Sequence, residues 1–182
     1  MTEHMRTLSP IAQKFVLHWG EMGTRWGINR TVAQIHALLF LSKKPLPAEE
    51  IARTLGIARS NVSNSLRELQ NWGIIRVVHV MGDRRDHFES MKDVFQMFRV
   101  ISRERKKREI DPTVNVLGEC IAELSRAKST DTYTRDRLTD LLKFFELANS
   151  AYAQMETLPT PALLKLARLG HKGLKLLGVT AK

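Results

Sequence analysis

The chain has 182 residues, with 29 Lys and Arg against 19 Asp and Glu, and a net charge of +10. No apolar run approaches the ~18 residues a membrane span requires, and no apolar signal region follows Met1–Arg6, so neither a membrane protein nor an exported one is expected. The single cysteine, Cys120, excludes an intramolecular disulfide and suits a reducing cytoplasm, where it reads as a buried helical thiol. The positive balance favours a polyanionic partner, because each neutralised phosphate releases condensed counterions. The surplus is concentrated between Arg53 and Arg108.

In chain order, Leu8, Ile11, Phe15, Trp19, Met22 and Trp26 step by three or four residues, one apolar face of a helix that Gly20, Gly23 and Gly27 weaken. A second helix over Thr31–Leu41 carries Val32, Ile35, Leu38 and Leu39, and Pro45 and Pro47 break the pattern after it. Pro47 suits the first position of a third helix ending at Leu55, with Glu49 and Glu50 near its positive end. Gly56 supplies the left-handed residue that ends this helix. A fourth helix, Arg59–Trp72, turns Val62, Leu66 and Leu69 inward behind a poor N-cap, Ala58. The β-branched run Ile74–Val80 is a strand, Met81–Asp86 a turn, and His87–Ser90 the returning strand. Helical periodicity returns over Asp93–Arg108 and closes at Asp111-Pro112. Further helices follow over Val114–Lys128 and along Leu138, Leu141, Phe145, Ala148, Tyr152 and Met155. Thr157–Pro161 breaks the second of these, and Leu163–Leu177 forms a final basic amphipathic segment.

Helix, tight turn, helix and hairpin over Pro47–Ser90 is the succession of a winged helix, which puts one helix in the DNA major groove and a loop beside it. With Val62, Leu66 and Leu69 inward, the fourth helix turns Arg59, Ser60, Ser63, Asn64 and Arg67 outward, bordered by Asn61. These are short hydrogen-bonding groups and arginines, suited to base edges and phosphates; arginine matches guanine, and asparagine adenine, with paired bonds. At the hairpin tip, Asp83 is placed to brace Arg84 or Arg85, and an arginine held there fits a narrow minor groove.

These motifs resemble the GbsR branch of the MarR-type winged-helix regulators. The resemblance is carried by Phe15-Val16, Gly20–Gly27, Pro47–Leu55, Arg59–Ser63, Leu66–Leu69, Trp72-Gly73 and Gly82–Phe88. It implies a bacterial transcription factor, a homodimeric repressor on a near-palindromic operator, with terminal helices forming the dimer and some relatives answering to choline-like effectors. The expected fold is mainly α with a small β-hairpin wing. Residues 1–28 form an N-terminal helix joining the dimerisation region, 29–91 the winged helix-turn-helix domain, and 92–182 a helical linker and C-terminal dimerisation region. The apolar stripes Leu8–Trp26 and Leu138–Met155 exceed what one winged helix can cover, which independently favours pairing between chains.

Phe15, Trp19, Trp26 and Trp72, with Tyr152, are candidates for an aromatic effector box, although aromatics at helical spacing are more often core. No histidine, cysteine or acidic grouping has metal-ligand spacing, no nucleophile sits beside a base, and no cofactor motif occurs; an enzyme is not expected. The competing function is a winged-helix scaffold that binds protein or RNA without reading an operator. A membrane-surface role for the segment with Lys165, Arg168, Lys172 and Lys175 is disfavoured by Gly170 and Gly173.

Overall fold

The computed structural model describes residues 8–127, 131–165 and 169–170. Its elements in order are α1 (Pro10–Arg25), α2 (Arg30–Leu41), β1 (Leu46–Pro47), α3 (Ala48–Leu55), α4 (Arg59–Asn71), β2 (Ile75–Val80), β3 (Asp83–Ser90), α5 (Val94–Arg105), a π-helical turn (Lys106–Ile110), α6 (Asp111–Arg126) and α7 (Thr132–Thr157). They form two compact units, Met1–Ile101 and Ser102–Lys182. The expected class, mainly α with a small β wing, is the one observed.

The first unit is built around α2. Val32, Ala33, Ile35, His36, Ala37, Leu38 and Leu39 are all buried, and a helix apolar on nearly every side belongs at the centre of a core. Asn29 caps its start, accepting from the Thr31 amide at 2.8 Å. α1 lies against it along Val16, Gly20 and Gly23, not along the whole stripe expected from periodicity: Ile11 is 83% exposed. The reason is close approach, since a Cβ at Gly23 would stand 2.5 Å from the Ala33 Cβ. Val62, Leu66 and Leu69 of α4 join Ile51, Leu46, Ile74, Ile75, Phe88 and Met97 in the same core. Each such side chain contributes roughly 1.5–3 kcal/mol by leaving water.

The sheet has the order β1–β3–β2 and is antiparallel throughout. Three expectations change here. Pro47 does not open α3; it is extended, pairs with His87 in β1, and serves as the N-cap without a side-chain bond. Lacking an N–H, it can lie on this edge strand without forfeiting a ladder bond. The turn is shorter than Met81–Asp86: Val80 pairs with Asp83, so Met81 and Gly82 alone make the bend, with Gly82 at φ 85°. Arg84 and Arg85 therefore lie on β3 rather than at the tip.

In the second unit Asp111-Pro112 does not close a helix. The chain stays helical from α5 through the π-turn into α6, the Asp111 amide bonding to the Lys106 carbonyl, so the register changes just ahead of Pro112 and its missing N–H. α6 and α7 pack together, Leu117 is buried, and Cys120 is half-buried. Arg103 is bonded to Glu156 at 2.6 Å, and Lys106 to Asp111 at 2.5 Å. Lys107 pairs with Glu104, while Arg105 and Arg108 both reach Glu109. The basic run that dominates the charge pattern is thus paired with carboxylates. Helix ends at Thr157 as expected and resumes at residue 160; beyond Lys165 the basic amphipathic segment falls mostly outside the described residues.

Candidate nucleic-acid interface

The surface begins with the turn between α3 and α4. Gly56, at φ 64°, closes α3, and the Ile57 amide donates back to the Ala52 carbonyl at 3.1 Å. Ala58 starts α4 without a side-chain cap, so the first-turn amides of α4 are left to solvent or a ligand. Around α4 the division of faces is complete. Val62, Leu66 and Leu69 are buried, while Arg59, Ser60, Asn61, Ser63, Asn64 and Arg67 are exposed together. Ser65 alone among the helix's serines is buried.

Arg59 is not loose. Its Nη2 lies 2.5 Å from Oε1 of Glu49, in the first turn of α3. By spacing alone Glu49 has only a role at its own helix end; nothing in a one-dimensional pattern joins residues ten apart across a turn. Arg67 makes no ion pair with a described residue.

On the wing, the choice between Arg84 and Arg85 resolves. Asp83 accepts from the Arg85 amide at 3.0 Å and grips its guanidinium at 2.6–3.1 Å. The same bonds hold the Asp83 carboxyl well below the usual carboxylate range. His87 is buried beneath the pair, its Nδ1 2.9 Å from the Arg85 carbonyl and its Nε2 3.5 Å from Asp83. Arg84, exposed, makes no ion pair with a described residue. Arg76 and Glu89 tie β2 to β3 at 2.5 Å, which stiffens the hairpin below its tip.

The candidate effector aromatics are partly gathered. Phe15 stacks on Trp19 at 5.4 Å, and Trp26 meets Trp19 edge-on at 6.0 Å. Trp19, Trp26 and Trp72 line one cavity with His36, but it holds only about 30 Å³, room for about one water. Phe15 does not line it, and Tyr152 belongs to the second unit. The His36 imidazole is buried with Nε2 unpartnered, and burial together with nearby Lys92 lowers its pKa to about 4. A larger cleft of about 660 Å³ opens beside the wing, lined by Gln34, Lys44, Glu50, Arg53, Arg85 and His87 among others. That volume is in the range of small-molecule sites.

A helix-turn-helix followed by a paired-strand wing defines a winged helix-turn-helix protein. Residues 26–86 match the MarR family model. The chain is 20% identical to the HTH-type transcriptional repressor GbsR of Bacillus subtilis (strain 168) over 133 residues, 73% of each protein. It is 25% identical to the HTH-type transcriptional repressor OpcR of the same organism over 73 residues, 40% of each. A crystal structure of a transcriptional regulator shares the fold with a TM-score of 0.61 at 19% identity, covering 81% of this chain and 96% of that one. The expected resemblance to GbsR- and MarR-type regulators is borne out by these matches. The relatives are named as regulators of transcription, not enzymes.

Proposed function

We propose that this chain is a sequence-specific double-stranded DNA-binding regulator of transcription, acting in the cytoplasm as a homodimeric repressor on a near-palindromic operator. The observation that carries the reading is α4: every apolar anchor is buried and every candidate reading residue is exposed on the other side. In this reading Arg59 and Asn64 contact base edges, while Ser60, Asn61, Ser63 and Arg67 contact phosphates or flanking edges. Arg84 reaches the backbone from the wing, and Arg85, locked to Asp83, fixes the wing's shape. Repression is taken from the names of the relatives.

Support for a homodimer comes from α7. Tyr133, Leu141, Phe144, Leu147 and Met155 are exposed and fall on one face of the helix. Effector control belongs, by volume, to the cleft beside the wing rather than to the tryptophan cavity.

The test is selection of duplexes from a random pool by the purified chain. A two-fold symmetric consensus is expected. Arg59→Ala and Asn64→Ala should then relax base preference, each by ~1–3 kcal/mol at one position per half-site. Arg84→Ala should weaken all sequences alike and lower the salt slope by about one phosphate per subunit. Equal binding to every sequence would overturn operator recognition and favour the scaffold or RNA-binding reading.

A further inference from the structure

We infer that Glu49 is a specificity-determining residue, a positioning carboxylate on α3 that fixes the reading geometry of Arg59 on α4. The inference rests on the DNA-binding reading above and adds to it a residue outside the recognition helix.

Arg59 is the first residue of α4, at the positive end of that helix, where a cationic side chain gains nothing from the backbone dipole. It is also 71% exposed, with a long side chain free to take many rotamers. A free arginine at such a place would engage any phosphate within reach, and phosphate contacts carry no sequence information. Glu49 changes this. Its carboxylate, only 34% exposed, sits in the first turn of α3, where the α3 dipole favours an anion. It holds Arg59 Nη2 at 2.5 Å across the Gly56 turn. The turn is fixed by the left-handed Gly56 and by the Ile57 amide bond to Ala52, so carboxylate and guanidinium are carried on a stiff frame.

Two consequences follow for recognition. A guanidinium tethered through Nη2 has fewer orientations open to it, which favours the paired bonds that a guanine edge requires. A carboxylate beside it repels the phosphate backbone, which penalises the non-specific alternative. Positioning and repulsion are separable, because only the first needs Arg59.

The experiment is a double-mutant cycle of Glu49→Gln and Arg59→Ala on full-length protein. Affinities are measured by fluorescence anisotropy for the selected duplex, for the same duplex changed at single base pairs, and for an unrelated duplex. Glu49→Gln should lower discrimination at one base pair of each half-site by about tenfold while leaving or raising affinity for the unrelated duplex. Arg59→Ala should abolish the same discrimination, and the double variant should match Arg59→Ala. Thermal melts of each variant check that folding is unchanged, as surface positions predict. If Glu49→Gln has the same effect with and without Arg59, the carboxylate acts by repulsion alone and the inference is overturned. Unchanged discrimination in Glu49→Gln overturns it as well. A wild type without sequence preference overturns the underlying DNA reading instead, a result distinguishable because it appears before any variant is tested.

Discussion

Gly23 and His36 define what single positions demand of this core. A Cβ at Gly23 would meet the Ala33 Cβ at 2.5 Å, and Ala33 is itself buried on α2 with nowhere to retreat. Gly20 differs: its nearest neighbours are the Cγ atoms of Gln34 at 2.6 Å and Arg30 at 3.2 Å, parts of flexible side chains. Gly23→Ala should therefore cost ~1–3 kcal/mol through overpacking, while Gly20→Ala stays within about 1 kcal/mol because helix propensity offsets a small displacement. Urea denaturation of both variants decides this; equal losses would mean that the helices part as a pair. His36 predicts the pH dependence. Its pKa is about 4 in the fold and 6.5 when unperturbed. Between those values the unfolded chain takes up a proton that the folded chain refuses, so stability is full above pH 6.5 and is lost as pH falls towards 4. From pH 7 to pH 5 the loss is about 2 kcal/mol at ~1.4 kcal/mol per unit. His36→Phe removes the titrating group and its unpartnered nitrogen, so its denaturation midpoint should change less over this interval; equal decline in both proteins would clear His36 of the effect. Neither residue was legible as such in the sequence. From the chain alone the glycines only weaken a helix, because their reason lies on α2, and His36 stands at no metal-ligand spacing that would single it out.

At the scale of elements, hydrophobic period located nearly every helix, and the errors fall where a tertiary partner decides. Pro47 looked like a helix start because proline fits that position; pairing with His87 made it a strand residue instead. Asp111-Pro112 has the composition of a stop, yet the π-turn ahead of it shifts the register and keeps the chain helical through Pro112. The wing's turn is shorter than its composition suggests: Asp83–Asp86 is polar enough to pass for loop, whereas pairing with β2 makes it strand. Lys92 is a further case. Two residues past the end of β3, its Nζ donates to the carbonyls of Leu39, Phe40 and Ser42 at 2.8, 2.7 and 2.9 Å. The last turn of α2 carries no basic residue of its own, so Lys92 adds donors to carbonyls at and just beyond the end of that helix. Its ammonium also lies over the Phe40 ring at 5.7 Å from the centroid. Lys92→Met keeps the stem and removes the donors, and should cost about 1–2 kcal/mol after allowance for solvent. The expected sign is a lower denaturation midpoint at unchanged cooperativity; an unaltered midpoint would show that water replaces the ammonium without penalty.

For the whole molecule, the proposed symmetry turns on α7. One face of this 26-residue helix packs on α6, and the face with Phe144 and Leu147, 62% and 71% exposed, has no cover among the described residues. Large apolar side chains in line on a helix face are costly to leave in water, and a second copy of the same face is self-complementary about a two-fold axis. The double substitution Phe144→Glu and Leu147→Glu places charges on that stripe without touching either unit's core. Sedimentation at micromolar concentration should report a monomer for the variant and a dimer for the wild type, with matching far-UV circular dichroism. Loss of the dimer removes the linkage between half-sites, so operator affinity should fall by about 10²–10⁴ while affinity for an isolated half-site is kept. That combination separates the dimer from α4, since damage to the reading helix would weaken the half-site too. A variant that stays dimeric and binds the full operator normally would remove α7 from the interface and leave α1, where Ile11 and Leu17 are exposed, as the face to test next.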